Sequence, residues 1–155
     1  KDRLIPDCVR DAKAKRVIRL RNPEAVRPFQ HVLEPLSAYL AILEAQYRDP
    51  SLAGGYNVGP DEENCLTVRE MASLFAKAWG EDASFAACPD GGPREAGLLR
   101  LNNRKIRERL LWRPVWSAEE AIRKTVEFEQ AEDKDGEILR QIRAFLRDAG
   151  SPADR

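Results

Sequence analysis

Apolar residues recur along this chain mainly at three- and four-residue steps, with a few short alternating runs between them. Ile5, Val9 and Ala12 fall at helical spacing and predict a short helix from Arg3 to about Lys13, with Pro6 tolerated in its first turn. Val17 to Arg21 alternates: Ile18 and Leu20 point one way, Arg19 and Arg21 the other, as in a strand that Asn22-Pro23 ends. After Arg27-Pro28-Phe29-Gln30-His31, a helix runs to about Asp49, and Leu33, Leu36, Leu40, Leu43 and Tyr47 form the stripe expected to anchor it. Asp49-Pro50 stops that helix, 51–55 reads as a loop, and Tyr56 to Pro60 reads as a short strand. Thr67-Val68-Arg69-Glu70 is a capping box. It opens the most regular helix in the chain, with Val68, Met71, Ala72, Phe75, Ala78 and Trp79 on one face and Gly80 at its end.

The second half continues in the same manner. Ser84 to Ala87 predicts a short strand and Cys88 to Gly97 a loop rich in glycine and proline. Leu98, Leu99 and Leu101 suggest a further strand, and Asn102-Asn103 can cap a helix carrying Ile106, Leu110 and Leu111. Pro114 keeps Trp112 to Trp116 out of a helix. A second capping box at Ser117–Glu120 opens a helix through Ala121, Ile122, Val126 and Phe128, which Asp133 to Gly136 breaks. The last helix carries Ile138, Leu139, Ile142, Phe145 and Leu146. The fold class is therefore α/β of a mostly helical, α+β-like kind, with five or six helices and three or four short strands. That is too few strands for a self-contained doubly wound sheet. One domain over 1–150 and a tail over 151–155 are expected. The chain opens at Lys1 without a methionine, which reads as a cut inside a longer protein.

Composition narrows the chemistry. The chain has 155 residues, and its 26 basic side chains cancel 26 acidic ones, so no bulk field draws it to nucleic acid or a membrane. Any anion binding must be local, and Arg16, Arg19, Arg21 and Arg27 are crowded together. Their spacing leaves two readings open: an ordinary solvated face paired with Glu24 and Glu34, or a convergence of Arg21 and Arg27 on a phosphate. His31 has no cysteine, serine or carboxylate at a spacing for catalysis or metal binding, and a structural role is the better reading. Cys8, Cys65 and Cys88 are odd in number and far apart, which supports neither a disulfide framework nor zinc and points to reduced thiols in a cytoplasmic protein. Trp79, Trp112 and Trp116 read as packing residues. No tyrosine has a lysine four residues on, and no G-x-x-G-x-x-G exists, so no catalytic centre is evident.

Several segments in order resemble a known family. They are Asp2-Arg3-Leu4-Ile5-Pro6-Asp7, Arg21-Asn22-Pro23, Arg27-Pro28-Phe29-Gln30-His31-Val32-Leu33-Glu34-Pro35-Leu36, Tyr56-Asn57-Val58-Gly59-Pro60, Arg94-Glu95-Ala96 and Leu111-Trp112-Arg113-Pro114-Val115-Trp116. Together they resemble the smaller, C-terminal, nucleotide-sugar-binding lobe of an extended short-chain dehydrogenase, in the CDP-glucose 4,6-dehydratase branch. The R-P-F-Q-H-V-L-E-P run is the most specific, because most relatives carry aspartate where Pro28 stands. One departure is Asn102, where relatives usually have aspartate.

The resemblance implies roles residue by residue. Arg3, Leu4, Ile5 and Pro6 would lie along the base and ribose of a CDP-sugar, and Arg27 would clamp the diphosphate with Arg21 and Asn22. Arg94 and Glu95 would close over ribose and phosphates. The parent enzyme would use bound NAD to take a hydride from C4 of the hexose, lose water across C5 and C6, and return the hydride at C6. NAD, the catalytic tyrosine and lysine, and the subunit contacts of a homo-oligomer would belong to an N-terminal domain absent here. This chain alone would hold no cofactor, no metal and no catalytic residue. Two alternatives stay open: another nucleotide-sugar epimerase or dehydratase of the same family, and a helical interaction module without a ligand.

Overall fold

The computed structural model describes residues 3–81, 83–88 and 96–150. Its elements in chain order are α1 (Leu4–Lys13), β1 (Ile18–Leu20), β2 (Val26–Arg27), α2 (Leu33–Arg48), β3 (Leu66–Thr67), α3 (Val68–Trp79), β4 (Phe85–Ala87), α4 (Arg104–Leu110), α5 (Ala118–Gln130) and α6 (Lys134–Asp148). This is the mostly helical α/β arrangement the periodicity implies. β1 runs parallel to β4 with Ile18 opposite Phe85, and β2 runs antiparallel to β3 with Val26 opposite Thr67.

The main core forms where α1, β1, α3 and α5 meet. The alternation of β1 sends Ile18 and Leu20 inward, each about 1% exposed, and leaves Arg19 outside. Cys8 and Ala12 of α1, Met71, Ala72 and Phe75 of α3, and Ala118, Ile122 and Val126 of α5 complete the cluster. Phe75 stacks on Trp79 with ring centroids 5.2 Å apart. All three cysteines are free, and burial pushes the Cys8 thiol up to about 12, so it acts as a small apolar side chain.

The capping box at α3 is present in full. Thr67 Oγ1 accepts from the Glu70 amide at 3.1 Å, and the Glu70 carboxylate accepts from the Thr67 amide at 2.7 Å. We expect Thr67→Ala to lower stability by about 1 kcal/mol, seen as a lower urea midpoint at unchanged slope.

Several sequence expectations need correction. Tyr56 to Pro60 is irregular rather than a strand. Its carbonyls at Gly59 and Pro60 accept from the buried Asn103 amide at 3.0 and 3.4 Å, a partner no local pattern reveals. Leu98, Leu99 and Leu101 make no strand either: Leu98 contributes one parallel bridge to Val26 and is exposed with Leu99. Asp133 to Gly136 is the start of α6, not a break, because Asp133 Oδ1 accepts from the Gly136 amide at 2.9 Å. A Cβ on Gly136 would lie 2.1 Å from that capping carboxylate, so glycine is what lets the cap close.

The largest correction concerns α2. Its stripe was expected to anchor the helix in a core, yet Leu36, Leu40, Leu43 and Tyr47 are 47%, 69%, 64% and 90% exposed. The inward face is made instead by the buried Glu34 and by Ala38, Ala41 and Ile42, of which the last three form a small second cluster with Ile106, Trp112, Tyr56 and Val58. Periodicity locates a stripe but not the side from which it is covered. On α6, likewise, Phe145 alone of the apolar stripe is buried, while Ile138, Leu139, Ile142 and Leu146 are exposed. No helix among the described residues is long and apolar enough to cross a membrane.

Candidate functional site

A cleft of about 400 Å³ opens where three separated segments converge. The first turn of α1 contributes Arg3, Leu4 and Asp7. β1 and the turn after it contribute Ile18 through Asn22. The exit of β2 contributes Arg27, Pro28 and Phe29, with Val68 from the start of α3. The volume lies in the range of small-molecule sites.

The lining is strongly cationic for a chain of zero net charge. Arg3, Arg19, Arg21 and Arg27 face one acidic residue, Asp7, which is paired with Arg10. Arg16, the other member of the sequence cluster, is absent from this lining and binds Asp11 at 2.7 Å. Of the two readings the spacing left open, the geometry thus splits the cluster: Arg16 belongs to a solvated ion pair, while Arg19, Arg21 and Arg27 converge on one cleft. Planar guanidinium forks gathered in this way suit an anion with several oxygens. Arg27 is oriented by its own surroundings, since its Nη1 donates to the carbonyls of Val26 at 2.9 Å and Ala96 at 2.8 Å.

Arg3, Leu4, Arg21, Asn22 and Arg27 come together in this one cleft. Ile5 does not join them: it packs on the main core, as Leu4 also does, but lies outside the cleft lining, and Pro6 is exposed outside that lining too. Arg94 and Glu95 lie outside the described residues. The lining also includes Asp7 and Phe29, which no sequence signal marks for a ligand, and Arg19, which the alternation of β1 places opposite the buried Ile18 and Leu20.

Behind the cleft, the R-P-F-Q-H-V-L-E-P run has a structural explanation. Glu34 is fully buried, and its carboxylate accepts from the Val115 amide at 3.0 Å and the Trp116 amide at 2.8 Å. Two segments more than 80 residues apart are joined by this one side chain. Burial raises the Glu34 pKa, against the lowering effect of those two amides. His31 is scaffolding as expected: its Nδ1 accepts from the Leu33 amide at 3.3 Å, and its ring meets the Trp116 ring edge-on at 5.0 Å. Burial lowers its pKa, so the neutral imidazole prevails. Among the described residues no group of three or more His, Cys, Asp or Glu could hold a metal ion.

The three tryptophans pack as anticipated. Trp112 donates to Ser37 Oγ and Trp116 to Asp148, each at 2.9 Å.

No family profile matches the chain. Among characterised proteins it is 36% identical over 132 residues to CDP-glucose 4,6-dehydratase from Salmonella typhimurium, a match covering 84% of this chain and 37% of that enzyme. Among solved structures it superposes on UDP-N-acetylglucosamine 4-epimerase from Bacillus cereus with a TM-score of 0.64 at 16% identity, over 84% of this chain and 44% of the other. The second comparison establishes the fold alone. The chain thus spans little more than a third of the curated relative it matches, and by sequence it is a relative of CDP-glucose 4,6-dehydratase whose extent fits a C-terminal portion of that enzyme.

Proposed function

We propose that this chain is the substrate-binding portion, over residues 1–150, of an NAD-dependent CDP-glucose 4,6-dehydratase, a lyase that forms a CDP-4-keto-6-deoxy sugar. The observation that carries the reading is the convergence of Arg3, Arg21, Asn22 and Arg27 in one cleft, on a chain with this sequence relationship. In this reading Arg27, with Arg21 and Asn22, holds the diphosphate. Arg3 and Leu4 line the path of the nucleoside, and Arg94 and Glu95 act over the ribose and phosphates. Holding both ends of a sugar nucleotide fixes the hexose for reaction elsewhere, which is how binding energy is converted into orientation.

The described residues do not fit NAD. Where β1 ends, Arg21-Asn22-Pro23 follows rather than a glycine turn, and β3 passes straight into α3 at Thr67-Val68 with no glycine between. No step through the dinucleotide is therefore derived from this chain. NAD, the catalytic side chains and the subunit contacts of a homo-oligomer are assigned to the remainder of the parent enzyme.

Calorimetry on the complete protein tests the reading. CDP-glucose should bind more tightly than the dTDP, GDP and UDP sugars, and Arg27→Ala should weaken it at least about tenfold at an unchanged unfolding temperature. Equal binding of all four nucleotides would instead favour a relative of different specificity. Absence of any nucleotide binding would leave the interaction module, which the exposed stripe of α2 also suits.

A further inference from the structure

Arg19 enters the cleft from a firmly held backbone. Ile18 and Leu20 on either side of it are locked in the main core, so the strand cannot shift beneath the guanidinium. The side chain is exposed and makes no hydrogen bond or ion pair among the described residues. Arg27, by contrast, donates to the carbonyls of Val26 and Ala96. Arg19 and Arg21 lie two residues apart in one extended run, so their side chains leave it about 7 Å apart on the cleft side. Each phosphate of a sugar nucleotide carries a single negative charge, and Arg21 and Arg27 answer one apiece in the reading above. Arg19 is a fork that the phosphates do not need.

What remains for it is the nucleoside. The hexose must reach catalytic side chains outside this chain, so the base is the end of the ligand that stays here. Leu4 and Phe29, both half-buried, offer the apolar surface that the face of a base requires. The one carboxylate in the lining, Asp7, is held by Arg10, and Asn22 is placed with the diphosphate. The cleft thus presents paired donors to the edge of a base, with no uncommitted side-chain acceptor. Cytosine shows O2 and N3 side by side as acceptors, and one guanidinium can donate to both. Uracil and thymine carry a proton on N3, so an arm of the fork would meet a donor.

We propose that Arg19 is a specificity-determining residue that donates to O2 and N3 of a cytosine base and so rejects uracil and thymine nucleotides. The inference rests on the function proposed above and deepens it. Contacts to phosphate position a nucleotide without identifying it, so Arg21 and Arg27 cannot make this choice.

Calorimetry with CDP and UDP on the product of the complete reading frame tests the assignment. The wild type should bind CDP at least about tenfold more tightly than UDP. Arg19→Ala should bring the two within about twofold of each other by weakening CDP alone, at an unchanged unfolding temperature. Arg19→Lys keeps the charge without the fork and should lose the preference as well. If Arg19→Ala weakens CDP and UDP equally and lysine restores both, Arg19 is a phosphate or steering cation and the proposal is overturned. A preference for CDP that survives in Arg19→Ala overturns it too. Both of those outcomes leave the function proposed above standing. A wild type with no preference overturns the role of Arg19 together with the choice of CDP, and a protein that binds neither nucleotide overturns the proposed function itself.

Discussion

Phe75→Ala is expected to cost about 3–5 kcal/mol of stability, a large share of the roughly 5–15 kcal/mol a domain has in total. Phe75 is fully buried, lies in the cluster that contains Ile18 and Leu20, and stacks on Trp79. Removing the ring leaves an apolar void that water does not fill, and elements from four parts of the chain surround it, so little collapse is available. Urea unfolding followed by circular dichroism measures the loss. Tryptophan fluorescence is less suitable, because the substitution removes a ring that touches Trp79. Phe75→Leu, which keeps most of the volume, should cost far less, and equal losses from the two would show that ring stacking rather than filled volume dominates. A functional consequence follows from β1. Ile18 and Leu20 anchor the strand in this core while Arg19 and Arg21 reach the cleft from the same few residues. If the cleft binds a sugar nucleotide as proposed, loosening the anchor should weaken that binding although no cleft residue has changed.

The reach of sequence reasoning here follows the range of the interactions involved. The α3 capping box and the outward placement of Arg19 in β1 are decided within a few residues, and both were legible. The crowding of Arg19, Arg21 and Arg27 is visible in the sequence too, but their convergence on one cleft is only one of the two readings that spacing leaves open. What failed were the features decided across the chain. Tyr56 to Pro60 is held by Asn103, more than 40 residues away, and Leu98 finds Val26 rather than a strand of its own. Leu4 and Ile5 both pack on the main core, and only Leu4 also lines the cleft, a distinction that depends on where β1 and the exit of β2 lie. The stripe of α2 was located correctly and oriented wrongly. Hydrophobic periodicity reports that a face needs covering; Ala38, Ala41 and Glu34 show that the cover within this chain lies on the opposite side.

Glu34→Ala should be the most disruptive change outside the main core, at about 2–4 kcal/mol, because it orphans the amides of Val115 and Trp116 in a buried place. Glu34→Gln keeps one acceptor oxygen and should cost less. The pair of variants also fixes the sign of a pH effect. Burial holds the Glu34 pKa above its ordinary value of 4.5, so the folded state favours the protonated carboxyl more than the unfolded chain does. Its contribution is then fully present below the unfolded pKa and is lost as pH rises through the raised folded value. Other carboxylates act in the opposite sense. Asp11, Asp49, Glu70 and Glu137 are lowered by hydrogen bonds from Arg10, Ser51, Thr67 and Gln141 respectively, and their contributions are lost as pH falls. Those groups are present in the wild type and in Glu34→Gln alike, so they cancel when the two stability profiles are subtracted. The difference, wild type minus variant, should therefore be largest in acid and shrink as pH rises from about 4.5. A difference that grows with pH would mean that the Val115 and Trp116 amides outweigh burial, and that the joint between α2 and the 111–116 segment is held by a carboxylate ion.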